Sequence, residues 1–193
     1  MRPEELFSIL KRAGALKTTK RHCFTEGDRR ESVADHSWRL ALMAMLLSGE
    51  EEFRGADGDR VIRMCLIHDL GEAFTGDIPT FEKTDRDAKR EDALFEAWVD
   101  GFPEPQRSEW RGLLEEMNAQ RTTEARLYKA LDRLEAVVSH NESDIGTWLP
   151  LEYDLQLTYG KENVAFSDTL RGISAALDEW TRRKIAEARD GAE

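Results

Sequence analysis

Apolar residues recur along this chain at helical spacing, in one segment after another. Leu6, Phe7, Ile9 and Leu10 form the first stripe, opened by Pro3 with Glu4 and Glu5 and stopped at Gly14, which is the Pro-start and Gly-stop asymmetry of helices. A long polar loop follows. Ser32 with Asp35 three residues later has the form of a capping box, and Trp38, Leu42, Met45 and Leu46 then repeat at helical spacing as far as Gly49. His36 falls in the first turns of that helix.

Asp59 is a candidate cap for the next helix, whose Val61, Ile62, Met64, Cys65, Leu66, Ile67, Leu70 and Phe74 are apolar nearly all round, so it should be central and buried. His68 and Asp69 sit well inside it. The run Thr75-Gly76-Asp77-Ile78-Pro79-Thr80 is a turn by composition, and two amphipathic helices are predicted over residues 86–101 and 104–118, broken at Gly101-Phe102-Pro103. Thr122 or Thr123 caps a helix with Leu127, Leu131, Leu134 and Val138 on one face and Asp132 and Glu135 as its acidic members. Residues 144–162 hold the only weakly strand-like stretch, and a last helix over about 163–188 ends in a frayed acidic tail. No strand–helix alternation appears, so the fold class is all-α.

At 193 residues the chain suits one domain with a substantial interior. Its two cysteines, Cys23 and Cys65, have neither the number nor the spacing of a disulfide framework or a zinc ribbon. A reducing, cytoplasmic setting fits. No window approaches the apolar length of a membrane span, and the charged first residues exclude a signal peptide. A net charge of -11 argues against broad nucleic-acid binding, which rests on a basic surface. A small anion remains open to it. Lys17, Lys20, Arg21, Arg29 and Arg30, set against Glu26 and Asp28, make 17–30 the best candidate for an anion-facing loop, the other reading being a solvated basic turn.

The chemistry concentrates in HDLGEAFTGD, residues 68–77. On a continuous helix His68 and Glu72 stand one turn apart on one face, with Asp69 about 100° round from His68. His36 lies upstream in ESVADHS, and Asp132 lies downstream in KALDRLEAV. Any one of these alone is ordinarily a hydrogen-bonded core or capping group. Asp132 is the sharpest case, because an acid among Ala130, Leu131 and Leu134 is either on an exposed stripe or buried and paired. A metal would supply the pairing. Two His and two carboxylates suit Mn, Co, Fe, Ni or Zn, and such a site leaves positions open for water and a phosphoryl oxygen, which makes hydrolysis the natural reaction.

The order His36 … His68-Asp69 … Asp132 resembles the HD-domain metal-dependent phosphohydrolase superfamily. The longer strings ESVADHS and HDLGEAFTGDIPT are similar to its 5'-deoxynucleotidase branch, over about residues 6–145. The resemblance implies an HD-domain helical bundle spanning 1–193 as a single domain, with the metal-site core at about 30–140. It implies one divalent ion held by His36, His68, Asp69 and Asp132. Glu72 would position or activate the attacking water, Asp77 would contact the sugar or assist the leaving group, and Arg21 would bind the 5'-phosphate. His22 stands where some members of the branch have a tryptophan that presses on the sugar, so the resemblance leaves the choice between deoxyribose and ribose open here.

The expected activity is therefore a 5'-nucleotidase releasing phosphate from (deoxy)ribonucleoside 5'-monophosphates. The alternatives are another HD phosphohydrolase, acting on a cyclic nucleotide, an alarmone or a nucleoside triphosphate, and a non-catalytic metal or nucleotide-binding module. Few basic groups lie in the central motifs, which favours a monophosphate, and retention of Glu72 and Asp77 speaks against a module that merely holds metal. No P-loop or Gly-rich cradle is present. His140 is expected as an exposed helix-end residue and Cys65 as a small core hydrophobe. A homodimer is a family-based expectation; Trp148, Leu149, Leu151, Tyr153, Leu155 and Tyr159 would suit either its interface or the core.

Overall fold

The structure is a computed structural model describing residues 1–25 and 27–190; Glu26 and the end of the acidic tail, 191–193, lie outside the described residues. It is built of helices: α1 (Pro3–Ala13), α2 (Val33–Leu47), α3 (Gly58–Ile67), α4 (Glu72–Thr75), α5 (Asp85–Asp100), α6 (Gln106–Ala119), α7 (Thr123–Glu142), α8 (Glu152–Thr158), α9 (Lys161–Val164) and α10 (Asp168–Asp190). The expected last helix is thus split into the short α9 and the long α10. None is long and apolar enough to cross a membrane.

Strand structure falls where it was not expected. β1 (Lys20–Phe24) and β2 (Arg30–Ser32) pair antiparallel, inside the segment read as a polar loop, while residues 144–162 form a 3₁₀ turn and helices. The hairpin escapes a periodicity reading because its polar members are buried with its apolar ones. Cys23 and Glu31 both face inward, so alternation of hydrophobic and polar types is lost.

Several starts are written locally. The Ser32 hydroxyl accepts from Asp35 N at 3.1 Å and the Asp35 carboxylate from Ser32 N at 2.9 Å, closing the capping box of α2. Thr122 caps α7, accepting from Ala125 N at 3.1 Å. For α3 the cap is Asp57, which accepts from Arg60 N at 3.0 Å, rather than Asp59.

α7 runs through the middle, with α2, α3, α6 and α10 packed around it. Leu127, Ala130, Leu131 and Leu134 meet Val33, Leu40 and Ala44 of α2 and Val61, Met64 and Cys65 of α3 in one core that extends from Leu16 to Leu177. The inward face of α2 differs from the expected stripe: Trp38, Met45 and Leu46 are 64%, 58% and 68% exposed, whereas Leu40, Ala41 and Ala44 are buried. Helix α2 is apolar on more than one side, and its small alanines let α3 and α7 approach closely, so close packing decides the phase. Helix α1 likewise buries none of its residues and leaves Phe7 65% exposed. Trp148, by contrast, is buried, its indole nitrogen donating to His140 O and Ser143 Oγ, both at 3.1 Å.

Candidate metal centre and flanking cavities

His68 and Asp69 do not lie inside a helix. α3 ends at Ile67, His68 is its cap residue, and 68–71 form a tight turn before α4, with Leu70 N bonded to Ile67 O and Glu72 N to Asp69 O, each at 3.0 Å. The one-face relationship of His68 and Glu72 on a continuous helix therefore does not hold. Helix breaking has a chemical result. Last-turn carbonyls lack partners within their helix, and that of Cys65 accepts from Nδ1 of His68 at 2.9 Å. A carbonyl only accepts, so Nδ1 carries the hydrogen and Nε2 faces the site. Gly71 is required at this break: a Cβ there would lie 2.6 Å from Glu91 Cγ and 3.2 Å from Glu91 O on α5. At Gly76 the backbone turns through φ +77°, a conformation glycine adopts without strain, and sends the chain on to Asp77.

The four expected ligands come together from three places in the fold. Nε2 of His36 lies 3.3 Å from Nε2 of His68 and 3.2 Å from Asp132 Oδ1. Asp69 Oδ2 is 2.9 Å from His68 Nε2 and 3.9 Å from His36 Nε2, and His68 Nε2 is 3.6 Å from Asp132 Oδ1. Tetrahedral ligands at bond lengths of ~2.1 Å stand ~3.4 Å apart. The spacing and the donor set thus fit a divalent cation, and two ring nitrogens with inward lone pairs beside two carboxylates need positive charge among them.

The pKa shifts carry the same message. Burial disfavours a charged His68 ring, yet Asp69 and Asp132 outweigh it and raise its pKa to about 10. His36 is raised as well, against both burial and Arg21, by Glu135 and Asp132. Asp132 is driven well below the carboxylate range despite burial, chiefly by Lys129 and the two histidines. Without a cation, protons hold the cluster together.

Around these four lies a layer in which only Arg21 carries a role expected from the sequence. Glu135, one turn beyond Asp132 on α7, is bonded to Nδ1 of His36 and also accepts from Arg39 Nε at 2.6 Å, which leaves the His36 Nε2 lone pair facing the site. Lys129 Nζ binds Asp132 Oδ2 at 2.9 Å, so that Oδ1 is the oxygen turned to the histidines. Arg21 on β1 contacts Glu31 at 2.7 Å and Glu135 at 3.4 Å, both through Nη1. The signals were present in part: Glu135 follows Asp132 and Arg39 follows His36 at i+3, each pair on one helix face, whereas Glu31 offers no spacing clue.

Two cavities open beside the centre. One, of about 500 Å³, is lined by Arg21, His22, Asp77, His140, Glu152 and Tyr159. The other, of about 700 Å³, exposes His68 and Asp69 with Lys83, Glu91 and Lys129. Arg21, His22 and Asp77 thus share one cavity, while the ligands His68 and Asp69 face the other. His140 is not an exposed helix end. It is half-buried, lines the first cavity, and bonds Glu152 Oε1 at 2.9 Å. Glu72 is buried, its Oε2 has no partner, and burial together with Asp69, Asp77 and Glu91 lifts its pKa to about 10.

Residues 13–174 match the model of the HD domain family. The chain belongs to the HD-domain family. It is 34% identical to 5'-deoxynucleotidase HDDC2 of Xenopus laevis over 70% of this chain and 67% of that one, and 32% identical to the Homo sapiens protein of the same name over 71% and 67%. Among solved structures, a protein described as a "predicted metal-dependent phosphohydrolase" from Magnetospirillum magnetotacticum MS-1 superposes with a TM-score of 0.77, at 32% identity over 95% of this chain and 94% of that one. A Pyrococcus furiosus protein of undescribed function follows the same fold at 25% identity and a TM-score of 0.57. These relatives place this HD-domain chain in the 5'-deoxynucleotidase-like branch.

Proposed function

We propose that this HD-domain protein is a metal-dependent phosphomonoester hydrolase that releases phosphate from (deoxy)ribonucleoside 5'-monophosphates. The observation that carries it is the convergence of His36 Nε2, His68 Nε2, Asp69 Oδ2 and Asp132 Oδ1 beside a buried carboxyl, Glu72, with an open oxygen. A divalent cation held by those four would lower the pKa of a water and neutralise charge developing on phosphorus.

The remaining steps belong to this chain's own side chains. Glu72 orients the water and accepts its proton. Its carboxyl is lifted by burial first and then by the negative charge of Asp69, Asp77 and Glu91; positive charge beside Asp69 would offset part of that and bring Glu72 back towards the working pH, where proton transfer is most effective. Among the described residues only Nη1 of Arg21 is engaged, which leaves Nε and Nη2 for a phosphate; the guanidinium is always charged and forked. Asp77 lines the cavity with Arg21 and His22, and the Asp69 charge helps, after burial, to raise its pKa. It is therefore suited to meet the sugar or to protonate the leaving oxygen. His22 faces the same cavity as a polar ring, which supports acceptance of ribose as well as deoxyribose.

One contiguous core from Leu16 to Leu177 supports reading 1–193 as a single HD domain. The deciding experiment is a phosphate-release screen of ribo- and deoxyribonucleoside monophosphates with Mn, Co, Fe, Ni and Zn. Turnover of monophosphates with at least one metal is expected. No release from any monophosphate by metal-loaded protein would reject the reading.

A further inference from the structure

The first cavity holds a second set of metal-capable groups that takes no part in the centre described above. His22 on β1, His140 on α7 and Glu152 on α8 present His22 Nε2 at 3.2 Å and His140 Nε2 at 2.9 Å from the same oxygen, Glu152 Oε1. One ligand atom from each lies within 4.8 Å of the others. The other oxygen of Glu152 is occupied, accepting from Leu149 N at 2.7 Å, so Oε1 is held in place towards the rings. Glu152 is 1% exposed.

The hydrogen positions make this more than a cluster. Nδ1 of His140 lies 2.9 Å from the carbonyl of Ala136, which can only accept, so Nδ1 carries the hydrogen. In its neutral form His140 therefore aims the Nε2 lone pair at a buried carboxylate oxygen. Two acceptors at hydrogen-bond distance need a positive charge between or upon them. His68 shows the same construction at the first centre, with Nδ1 fixed by a backbone carbonyl of its own helix and Nε2 turned to Asp69.

We propose that His22, His140 and Glu152 form a second divalent-cation site. Two imidazoles and one carboxylate suit a borderline ion such as Zn²⁺, Co²⁺ or Ni²⁺ and leave further coordination positions free. The three ligands line the same cavity as Arg21 and Asp77. Three separate elements supply the ligands, and the His22 ring is steadied by an edge contact to Phe81 at 5.5 Å between centroids.

Metal content decides it without reference to turnover. The full chain is stripped with chelator, dialysed against Zn²⁺, and its bound metal per chain measured for wild type, His22→Ala, His140→Ala, Glu152→Gln and His36→Ala. Each of the first three variants is expected to hold one equivalent fewer than wild type, and His36→Ala to retain that equivalent. Co²⁺ loading should give the matching loss of visible absorbance. His140 packs near Trp148, so its variant is the one at risk of misfolding; Glu152→Gln keeps the shape, and His22→Ala removes a ring from a hairpin. Wild-type metal content in both of these overturns the proposal and makes the cluster an imidazolium–carboxylate pair. Loss of all metal in either would overturn it equally, because the two sites would not be independent.

Discussion

Glu135 on α7 is bonded to Nδ1 of His36 on α2, and neither side chain has any exposed surface. This contact fixes which His36 nitrogen is free for a cation and raises the basicity of the ring, since a carboxylate behind an imidazole ligand supports its partial positive charge. Burial opposes an ionised Glu135, but His36, Arg21 and Arg39 hold its pKa at about 2. Glu135→Gln keeps the shape and removes the charge. Its expected effect is a ~10–100-fold loss of metal affinity with the helical fold retained. Competition with a fluorescent chelator measures it, and unchanged affinity would remove Glu135 from any role at the centre.

Glu72 separates metal holding from proton transfer. It is no member of the converging quartet, and its Oε2 is buried without a partner. Glu72→Gln is expected to bind metal as wild type does and to lower kcat by ~10²–10⁴, the usual scale of general acid–base assistance. Asp69→Ala should instead lose both. Equal metal content with full turnover in Glu72→Gln would refute the proton-transfer assignment.

Arg21 is half of a structural pair as well as a phosphate donor. Its guanidinium lies between Glu31 and Glu135, so Arg21→Ala leaves two buried carboxylates short of a counter-charge. Breaking a buried pair in this way costs ~3–5 kcal/mol. A lower Tm is therefore expected alongside a raised KM for monophosphates. Arg21→Lys should recover more of the Tm than of the KM, because one ammonium restores the charge but not the forked donor. A lowered Tm with an unchanged KM in Arg21→Ala would show that Arg21 acts through stability alone.

Much of this was legible in the chain because it is written locally. The capping pair Ser32 and Asp35, the cap Thr122, the breaks at Gly14 and Gly101, and the His and Asp types of the quartet need no tertiary information. The remainder depends on packing. The apolar run continues past Ile67, so nothing in its periodicity shows that the helix stops there; Gly71 beneath Glu91 does, and only the folded chain brings α5 onto it. The α2 stripe is similar, since apolar residues on two sides leave the inward face to be chosen by Ala41 and Ala44. Arg39 comes to Glu135 across 96 residues of chain and brings Glu31 with it, a distance at which spacing carries no signal.

That break gives its own test. A methyl group at position 71 meets the Glu91 carbonyl as well as its side chain, and a backbone atom cannot be moved aside by changing a rotamer. Gly71→Ala should therefore destabilise the fold by ~1–3 kcal/mol. It should also lower turnover more than the fraction unfolded explains, because the same turn carries His68, Asp69 and Glu72. Thermal melts with kinetics well below Tm check both, and a variant with wild-type Tm would contradict the close approach.

Proton linkage gives the last prediction and its sign. In the metal-free protein the His68 pKa is raised from 6.5 to about 10, burial opposing the charge and Asp69 and Asp132 prevailing. At pH 7.5 the ring is thus protonated on both nitrogens, while a cation needs the Nε2 lone pair. Binding must then release at least one proton from His68, and the raised His36 adds a further contribution. Metal affinity is expected to rise with pH by about tenfold per unit for each proton released. The stability of the metal-free protein moves the other way: a raised folded-state pKa contributes fully below pH 6.5 and is lost as pH climbs towards 10. Calorimetric titration at one pH in two buffers of different ionisation heat reads the proton count, and a binding heat that does not change with buffer would contradict the protonated resting state of the centre.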